Sequence, residues 1–215
     1  MTDVWSQRAD AFRESATHRE GPDLDRVVEW CEPGDGVTAL DVATGGGHVA
    51  RRLLEEGCTV VTVDPAPGMR PDVVSRAEEL PFADGSFDVV TCRIAAHHFE
   101  NVRGAVAEMA RVTRDLVVIE DNVFVDERVE EAELLRDPTH VRCYSEEEWR
   151  EMLVDAGLEV EEVEHFERHP QLSEWLARVE TPPADAKRVR ELLVDHVQDG
   201  ALRLQSIVVK ARKDR

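Results

Sequence analysis

Three consecutive glycines, Gly45 to Gly47, stand shortly after Asp41, an acidic residue within a short apolar run. Glycine has no Cβ atom, so such a segment lets the backbone turn sharply and approach a ligand closely. A helical pattern begins at His48, and the unpaired N–H groups of a first helical turn can meet polar atoms of a ligand. These residues are therefore candidates for binding a nucleotide-like cofactor.

The Asp41 carboxylate helps to distinguish two classes of ligand. The pattern Gly45-x-Gly47-x-x-Ala50 also fits the dinucleotide fingerprint. A carboxylate beside this loop would repel a pyrophosphate, however, and would suit a ligand that carries an ammonium and a sulfonium. This favours S-adenosylmethionine over NAD.

A second acidic residue, Asp64, ends the next apolar run, 23 residues after Asp41. This separation is close to the spacing of about 20 residues typical of a ribose-binding acid. An Asp at the end of a strand can instead cap the turn that follows it. Each Asp alone therefore keeps both interpretations, and the pair together with the glycines favours the cofactor.

The elements that must position these residues follow from the pattern of apolar side chains. Strands are predicted over residues 38–42, 58–63, 73–75, 87–93, 116–120, 160–166 and 202–209. Helices are predicted over residues 48–56, 102–112, 126–135, 172–179 and 184–197, and a capping box at 145–148 begins another that Gly157 ends.

Alternation of strands and helices with short connections predicts an α/β fold. We expect a Rossmann-like, doubly wound, mostly parallel sheet with helices on both faces and an antiparallel C-terminal strand. Ligands of such sheets bind beyond the carboxyl ends of the strands. Asp41, Asp64, Arg93 and residues 120–121 all lie at predicted strand ends, so we expect them at one edge.

The chain is predicted to form a single compact unit, because no linker or low-complexity segment interrupts it. Within it, residues 1–36 are expected to form N-terminal helices that could act as a lid, and residues 37–215 the main domain. Pro65, Pro67, Gly68 and Pro71 fall where a second crossover helix would be expected. The connection there is therefore predicted to be short or irregular.

The composition is strongly acidic, with 46 acidic and 26 basic residues and a formal net charge of -20. Only three of the basic residues are lysines: Lys187, Lys210 and Lys213. This composition resembles that of halophilic proteins, in which high salt screens self-repulsion. No basic stripe that could neutralise phosphates is visible in the sequence, so we expect no nucleic-acid partner.

The four cysteines, at positions 31, 58, 92 and 143, are isolated from one another. They lack the paired spacing of a zinc site or redox motif, so we expect small buried apolar residues and no metal. No apolar run approaches membrane-spanning length, and the first residues lack the features of a signal peptide. We therefore expect a cytoplasmic protein without a membrane partner.

Four blocks of the sequence resemble one family, the class I S-adenosylmethionine-dependent methyltransferases. The similarity is to methyltransferase domain type 11, the group of the ubiquinone and menaquinone biosynthesis enzymes. The blocks are residues 40–48, 63–64, 77–90 and 91–99, with a downstream substrate-side block at 137–149. His18, Gly21, Asp23 and Leu24 also resemble the N-terminal helix and lid of this family.

The resemblance implies a role for each matching residue. Asp41 and the three glycines would lie against the methionine part, Asp64 would bind both ribose hydroxyls, and Ala77 and Glu78 would border the adenine. Arg93 and Ile94 would lie beside the methionine and the sulfonium. The complete implied set of cofactor-binding residues is Asp41, Ala43, Thr44, Gly45, Gly46, Gly47, Asp64, Pro65, Ala77, Glu78, Arg93 and Ile94.

The chain departs from the family pattern at three places. Arg76 stands where the family usually has an acidic residue that contacts the adenine amino group. The segment between Asp64 and Ala77 is shorter than usual, and the usual Pro-Gly-Gly is missing around residues 113–115.

The implied reaction is an in-line methyl transfer, for which the protein must align the acceptor and exclude water. A general base is needed only if the acceptor carries a proton that must leave. The catalytic candidates are His97, His98 and His140, and the acceptor-binding candidates are His18, His98, His140, Arg142 and Tyr144. Trp5, Phe12 and Trp149 could close the pocket, although aromatic residues at helical spacing are more often part of a core.

Three functions remain open at this point. The first is an S-adenosylmethionine-dependent methyltransferase that acts on a small-molecule acceptor, as a monomer or homodimer. The second is a protein that binds S-adenosylmethionine or S-adenosylhomocysteine without transferring methyl groups. The third is an NAD-dependent oxidoreductase, which Asp41 and the lack of a recognisable hydride-transfer site disfavour.

Overall fold

A computed structural model describes residues 4–213, and all of their side chains except those of residues 16 and 17. The predicted lid and main domain therefore lose residues 1–3 and 214–215, which lie outside the described part. The chain begins with three helices, α1 (Val4–Glu14), α2 (Ala16–Arg19) and α3 (Pro22–Trp30). Within residues 4–213, no helix combines the length and apolarity needed to cross a membrane.

The first half of the main domain alternates strands and helices. Its elements are β1 (Thr38–Val42), α4 (His48–Glu55), β2 (Thr59–Asp64), β3 (Val73–Val74), β4 (Phe87–Arg93), α5 (Val102–Val112) and β5 (Thr113–Asn122). The bounds of β1, β4 and α5 match the prediction. One 3-10 turn, Pro67–Met69, replaces the missing crossover helix between β2 and β3, as the prolines predicted.

The second half adds four helices and four strands. They are α6 (Glu127–Arg136), α7 (Glu146–Asp155), β6 (Leu158–Arg168), α8 (Leu172–Ala177), α9 (Pro183–Leu192), β7 (Val197–Gln198), β8 (Ala201–Leu202) and β9 (Leu204–Lys213). Helix α7 begins with the predicted capping box between Ser145 and Glu148. The helix predicted over 184–197 ends at Leu192, because the chain turns into a small hairpin of β7 and β8.

The seven-stranded sheet has the order β3-β2-β1-β4-β5-β9-β6. Strand β9 is antiparallel to both β5 and β6, and the other neighbours are parallel. The fold is therefore the predicted Rossmann-like, mostly parallel sheet with an antiparallel C-terminal strand. Strand β6 points the same way as β5, so its carboxyl end lies at the same edge.

Alternate residues of the central strands face two separate cores. Leu40, Val90 and Val117 pack with α5 and α7 on one face. Ala39, Val89 and Val118 pack with α3 and α4 on the other, so helices cover both faces as predicted. A third apolar cluster joins α6, α8, α9 and β8, and the four cysteines are buried and form no disulfide.

Candidate functional site

The strand ends that carry the candidate residues meet at one edge of the sheet. Asp41 is level with Thr91 of β4, and Val42 is level with Val63, the residue before Asp64. Arg93 is level with Glu120. The prediction that these residues share one edge is confirmed by the register of the strands.

The glycine loop between β1 and α4 is held in an unusual backbone conformation. Ala43, Gly45 and Gly47 all have positive φ angles, of 54°, 51° and 74°. Ile94, which follows β4, also has a positive φ of 51°. Such a conformation costs free energy for a residue with a side chain and is uncommon for a β-branched one. Two of the predicted site residues, Ala43 and Ile94, therefore have strained backbone conformations. They follow the neighbouring strands β1 and β4.

Asp41 fixes the glycine loop to the following helix. Its Oδ2 atom accepts a hydrogen bond from Thr44 Oγ1 at 2.6 Å and one from the Ala50 backbone N–H at 3.2 Å. Burial raises the pKa of Asp41 to about 6, although these two hydrogen bonds oppose the shift. The geometry is that of a turn-capping carboxylate, which was the alternative interpretation of this residue.

Asp64 joins the loop to the end of β2. Its Oδ2 accepts a hydrogen bond from Gly45 N at 3.0 Å, and its Oδ1 accepts one from Ala66 N at 2.9 Å. The Asp64 carboxylate is thus positioned by backbone N–H groups on both sides, where the end of β2 meets the glycine loop.

Helix α1 covers the glycine loop. The carbonyl oxygen of Phe12 accepts a hydrogen bond from His48 Nε2 at 3.1 Å. A Cβ atom built on Gly46 would lie 2.9 Å from the same oxygen and 2.6 Å from His48 Nε2. A residue larger than glycine would therefore force the loop and α1 apart.

The predicted adenine border lies close to the surface. Ala77 is buried, and the Glu78 carboxylate is 3.4 Å from Arg76 Nη2. The same Arg76 nitrogen is 2.9 Å from Glu100 Oε2. Two carboxylates thus neutralise the arginine that departs from the family pattern.

The Arg93 guanidinium is engaged entirely within the protein. Its Nη2 and Nε atoms lie 2.5 Å from Asp23 Oδ2 and from Glu120 Oε2, and its Nη1 donates to the His18 carbonyl at 2.9 Å. Burial raises the pKa of Glu120 to about 7; Arg93 opposes the shift and Asp23 adds to it. Arg93 therefore ties α3 and the segment around His18 to the end of the sheet.

A cavity lies at the same edge, and it is called the acceptor cavity because His18 and His98, two predicted acceptor-binding residues, line it. Its lining includes Phe12, His18, Ile94, His97 and His98. Three of these are histidines that the sequence singled out. The lining also includes residues that the sequence did not indicate, Asn122, Arg136, Arg168 and Arg178 among them.

The two adjacent histidines of the acceptor cavity differ in electrostatic environment. Burial lowers the pKa of His97, but the Asp121 carboxylate, 2.5 Å from Nδ1, outweighs this and raises it overall. Burial and the neighbouring His97 hold the pKa of His98 well below its usual value. The His98 Nδ1 lies 2.9 Å from the Thr139 carbonyl oxygen, which can only accept. His98 is therefore neutral, with its lone pair on Nε2.

His140 lies next to these rings but outside the lining of the acceptor cavity. Its ring centroid is 5.5 Å from that of His97, and its Nε2 is 2.9 Å from Glu130 Oε1. Glu130 also accepts a hydrogen bond from the Cys143 backbone N–H at 3.1 Å. Among residues 4–213, one group of His, Cys, Asp or Glu side chains has the spacing of metal ligands: Glu130, His140 and Cys143. In this group, Glu130 forms hydrogen bonds with the other two residues.

The remaining candidates are divided between the cavity and other surroundings. Arg142 is exposed and pairs with Glu148 at 2.6 Å, so the structure does not bring it to the acceptor cavity. Tyr144 packs against Trp149, which is fully buried in the core instead of closing the pocket. Trp5 does lie against His98, with 4.6 Å between the ring centroids.

With this geometry in place, comparison with known proteins identifies the family. Residues 40–118 match the type 11 methyltransferase domain. The uncharacterized methyltransferase YcgJ of Bacillus subtilis is 33% identical over 220 residues, which cover 92% of this chain and 86% of YcgJ. A crystal structure of the B. subtilis YcgJ protein has a TM-score of 0.81 and 28% identity, and the match covers 89% of this chain and 98% of that one. This chain belongs to the class I S-adenosylmethionine-dependent methyltransferases.

Two further relatives illustrate the range of the family. A demethylmenaquinone methyltransferase of Beutenbergia cavernae is 41% identical over 92 residues, 38% of each chain. A Haemonchus contortus phosphoethanolamine N-methyltransferase, solved with phosphomonomethylethanolamine and S-adenosylhomocysteine, has a TM-score of 0.67 at 18% identity. That match covers 100% of this chain and 58% of the other, and shares the fold. The family assignment favours methyl transfer over the NAD alternative.

Proposed function

We propose that this chain methylates a small organic molecule that binds in the acceptor cavity. The observation that carries the proposal is the position of Ile94. This residue follows β4 at the sheet edge that holds Asp41 and Asp64, and it also lines the cavity that contains His97 and His98. Ile94 therefore belongs both to the predicted cofactor-binding residues and to the lining of a cavity with polar side chains.

The residues present fit the cofactor. Gly45, Gly46 and Gly47 carry no Cβ atoms, and Asp64 at the end of β2 places a carboxylate oxygen 3.0 Å from Gly45 N. In this proposal Asp64 accepts hydrogen bonds from the ribose hydroxyls, while Ala77 and Glu78 border the adenine. Asp41 acts from beneath the loop, by holding its shape. When bound, S-adenosylmethionine supplies an already activated sulfonium methyl group.

The chain itself must orient the acceptor and exclude water. Trp5 and Phe12 of α1 close over this region, since Trp5 packs on His98 and Phe12 lines the cavity. If the acceptor group carries a proton, the neutral His98 is the better base, because its Nε2 lone pair is available. His97 is suited to donate a hydrogen bond, because Asp121 favours its protonated form.

The binding step is tested by calorimetry with S-adenosylhomocysteine and, as a comparison, with NAD. The proposal expects saturable binding of the first ligand and none of the second. Binding of NAD alone would contradict it.

The transfer step is tested with methyl-labelled S-adenosylmethionine and a heat-treated cell extract, separated after reaction into small and large molecules. The proposal expects label in the small-molecule fraction, dependent on the wild-type chain and lost with Asp64→Ala. Label confined to proteins or RNA would refute the proposed acceptor class. Binding of S-adenosylhomocysteine with no transfer to any fraction would support the binding-protein alternative.

A further inference from the structure

Three arginines, Arg136, Arg168 and Arg178, line the acceptor cavity; together they are called the arginine cluster. They come from the end of α6, the end of β6 and the residue after α8. Three different elements thus bring arginine side chains to the lining of one cavity. This convergence is unusual in a chain whose net charge is -20.

Arg168 has hydrogen-bonding capacity that the protein does not use. Its Nη2 atom donates to Asn122 Oδ1 at 2.5 Å. Its Nε atom is buried and has no hydrogen-bond partner. A buried donor without a partner is costly, so this nitrogen is a candidate to meet a ligand.

The environment of Arg178 shows how strongly positive the cavity is. Burial, followed by the charges of Arg136 and Arg168, lowers the pKa of Arg178 to about 10, and Glu174 weakly opposes the shift. Arginine is normally protonated in every protein environment. Burial is the main cause of this lowered pKa, and repulsion by the other two arginines of the cluster adds to it.

Two acidic residues at or beside the cavity form ion pairs with arginines other than Arg168. Asp137 lines the cavity, but its carboxylate pairs with Arg8 Nη1 at 3.3 Å. Glu133 pairs with Arg136 at 3.3 Å. Arg8 and Arg136 are thus paired, whereas the charge of Arg168 is met by the longer-range attraction of Asp23 and Glu120.

Arginines elsewhere in the chain are placed differently. On the surface, Arg51 is 2.8 Å from Glu55, and Arg103 is 2.8 Å from Asp155 and 3.0 Å from Glu151. In contrast, no carboxylate oxygen among residues 4–213 lies within ion-pair distance of the Arg168 guanidinium. Arg168 therefore differs from these exposed arginines, because it is not paired with a carboxylate among the described residues.

From these contacts we infer that the methyl acceptor carries an anionic group, a carboxylate or a phosphate, which the arginine cluster binds. The inference rests on the proposed function, because it assigns the cluster to the acceptor. The planar guanidinium matches the two oxygens of either group. An anion at this point would partner Arg168 Nε and offset the repulsion among the three arginines, and it would leave the rest of the acceptor directed towards Ile94 and the histidines.

The main competing explanation is that the cluster binds the carboxylate of the cofactor's own methionine part. The experiment therefore measures two affinities separately. The first is the affinity of the chain for S-adenosylhomocysteine. The second is the affinity of the chain, once saturated with S-adenosylhomocysteine, for inorganic phosphate and for benzoate. Both anions are titrated at fixed ionic strength against potassium chloride, so that screening stays constant. Benzoate and phosphate distinguish a carboxylate from a phosphate source.

We expect at least one anion to bind the saturated wild-type chain and Arg168→Gln to weaken that binding by about tenfold or more. The affinity for S-adenosylhomocysteine should stay within about twofold. Arg168→Lys should restore part of the anion affinity, because the charge returns without the planar fork. Arg103→Gln, at an exposed ion pair on α5, is the matched control and should change neither affinity.

The inference is overturned if neither anion binds, or if Arg168→Gln binds them like the wild type. It is also overturned if Arg168→Gln weakens S-adenosylhomocysteine tenfold, because the cluster would then serve the cofactor. If Arg168→Gln does not fold, Arg178→Gln takes its place with the same expectations. Failure of the wild type to bind S-adenosylhomocysteine would reject the proposed function instead, and anion binding to the ligand-free chain would still decide whether the cluster is an anion site.

Discussion

Asp121 accepts two hydrogen bonds from His97, one from the ring Nδ1 at 2.5 Å and one from the backbone N–H at 2.7 Å. One carboxylate thus fixes both the backbone turn after β4 and the orientation of the ring. Because the two oxygens of Asp121 are shared in this way, His97 faces the acceptor cavity in a defined tautomer and a defined position.

The first prediction concerns this pair. Asp121 raises the pKa of His97 in the folded chain, so its stabilising effect is fully present below the unfolded pKa of about 6.5 and is lost as pH rises through the folded value. Asp121→Asn should therefore destabilise the chain by about 3–5 kcal/mol at pH 6 and by less at pH 9. Urea unfolding at the two pH values measures the difference. Asp84→Asn, at an exposed loop position, should show no such trend, and an equal loss at both pH values would contradict the prediction.

The second prediction concerns Glu120, which is fully buried between Arg93 and Asp23. Its pKa of about 7 lies above the ordinary glutamate value, so the folded state holds a proton that the unfolded state releases. Stability should therefore fall as pH rises through this range, by about 3 kcal/mol in total.

Glu120→Gln removes the titrating group, so its unfolding free energy should change less between pH 5 and pH 8 than that of the wild type. The comparison is between the two slopes, because the loss of one Arg93 partner shifts the absolute stability as well. Parallel slopes for the two chains would show that Glu120 does not titrate in this range.

The third prediction tests the ribose contact assigned to Asp64. Asp64→Ala should weaken S-adenosylhomocysteine binding by about 1.5–3 kcal/mol, the usual contribution of hydrogen bonds to a charged group. Isothermal titration measures the affinity, and circular dichroism checks that the variant is folded despite the loss of the Gly45 and Ala66 contacts. Asp72→Ala removes an exposed carboxylate that accepts hydrogen bonds from the backbone N–H and the hydroxyl of Thr62, and it serves as the control. A folded Asp64→Ala chain with unchanged affinity would reject the assignment.

The fourth prediction concerns salt. The formal net charge of -20 implies strong self-repulsion, and the Debye length falls from about 10 Å at 0.1 M salt to about 3 Å at 1 M. The melting temperature should therefore rise as potassium chloride increases over this range. Chloride is preferred to sulfate because sulfate also strengthens the burial of apolar groups. A melting temperature that does not change with potassium chloride would argue against a salt-adapted chain.

The sheet and the edge that carries Asp41 and Asp64 could be predicted because short, nearly continuous apolar runs are typical of buried parallel strands. The predicted bounds of β1 and β4 agree with the structure. Because β1 and β2 are parallel neighbours, Asp41 and Asp64 lie at the same edge of the sheet. The hairpin of β7 and β8 was missed, although its Asp199-Gly200 turn has the composition that such two-residue turns favour. A helical pattern that ran through the preceding residues concealed that signal.

The arginine cluster could not be predicted, because its members belong to no local motif. Arg136, Arg168 and Arg178 meet only through the packing of α6, α8 and β6, and each resembles any other surface arginine in the sequence. The positive φ angles of Ala43 and Ile94 were hidden for a similar reason. Neither residue type is one that favours this conformation, so only the folded chain reveals it.

Phe12 contributes to two places at once: its carbonyl oxygen bonds to His48 at the glycine loop, and the residue also lines the acceptor cavity. A ligand on either side that shifts α1 must therefore alter the space available to the other. If the proposed function is correct and binding moves this turn, thermodynamic linkage requires the effect to be reciprocal, so cofactor and acceptor would change each other's affinity by the same factor. One turn of the first helix would then couple the two sites.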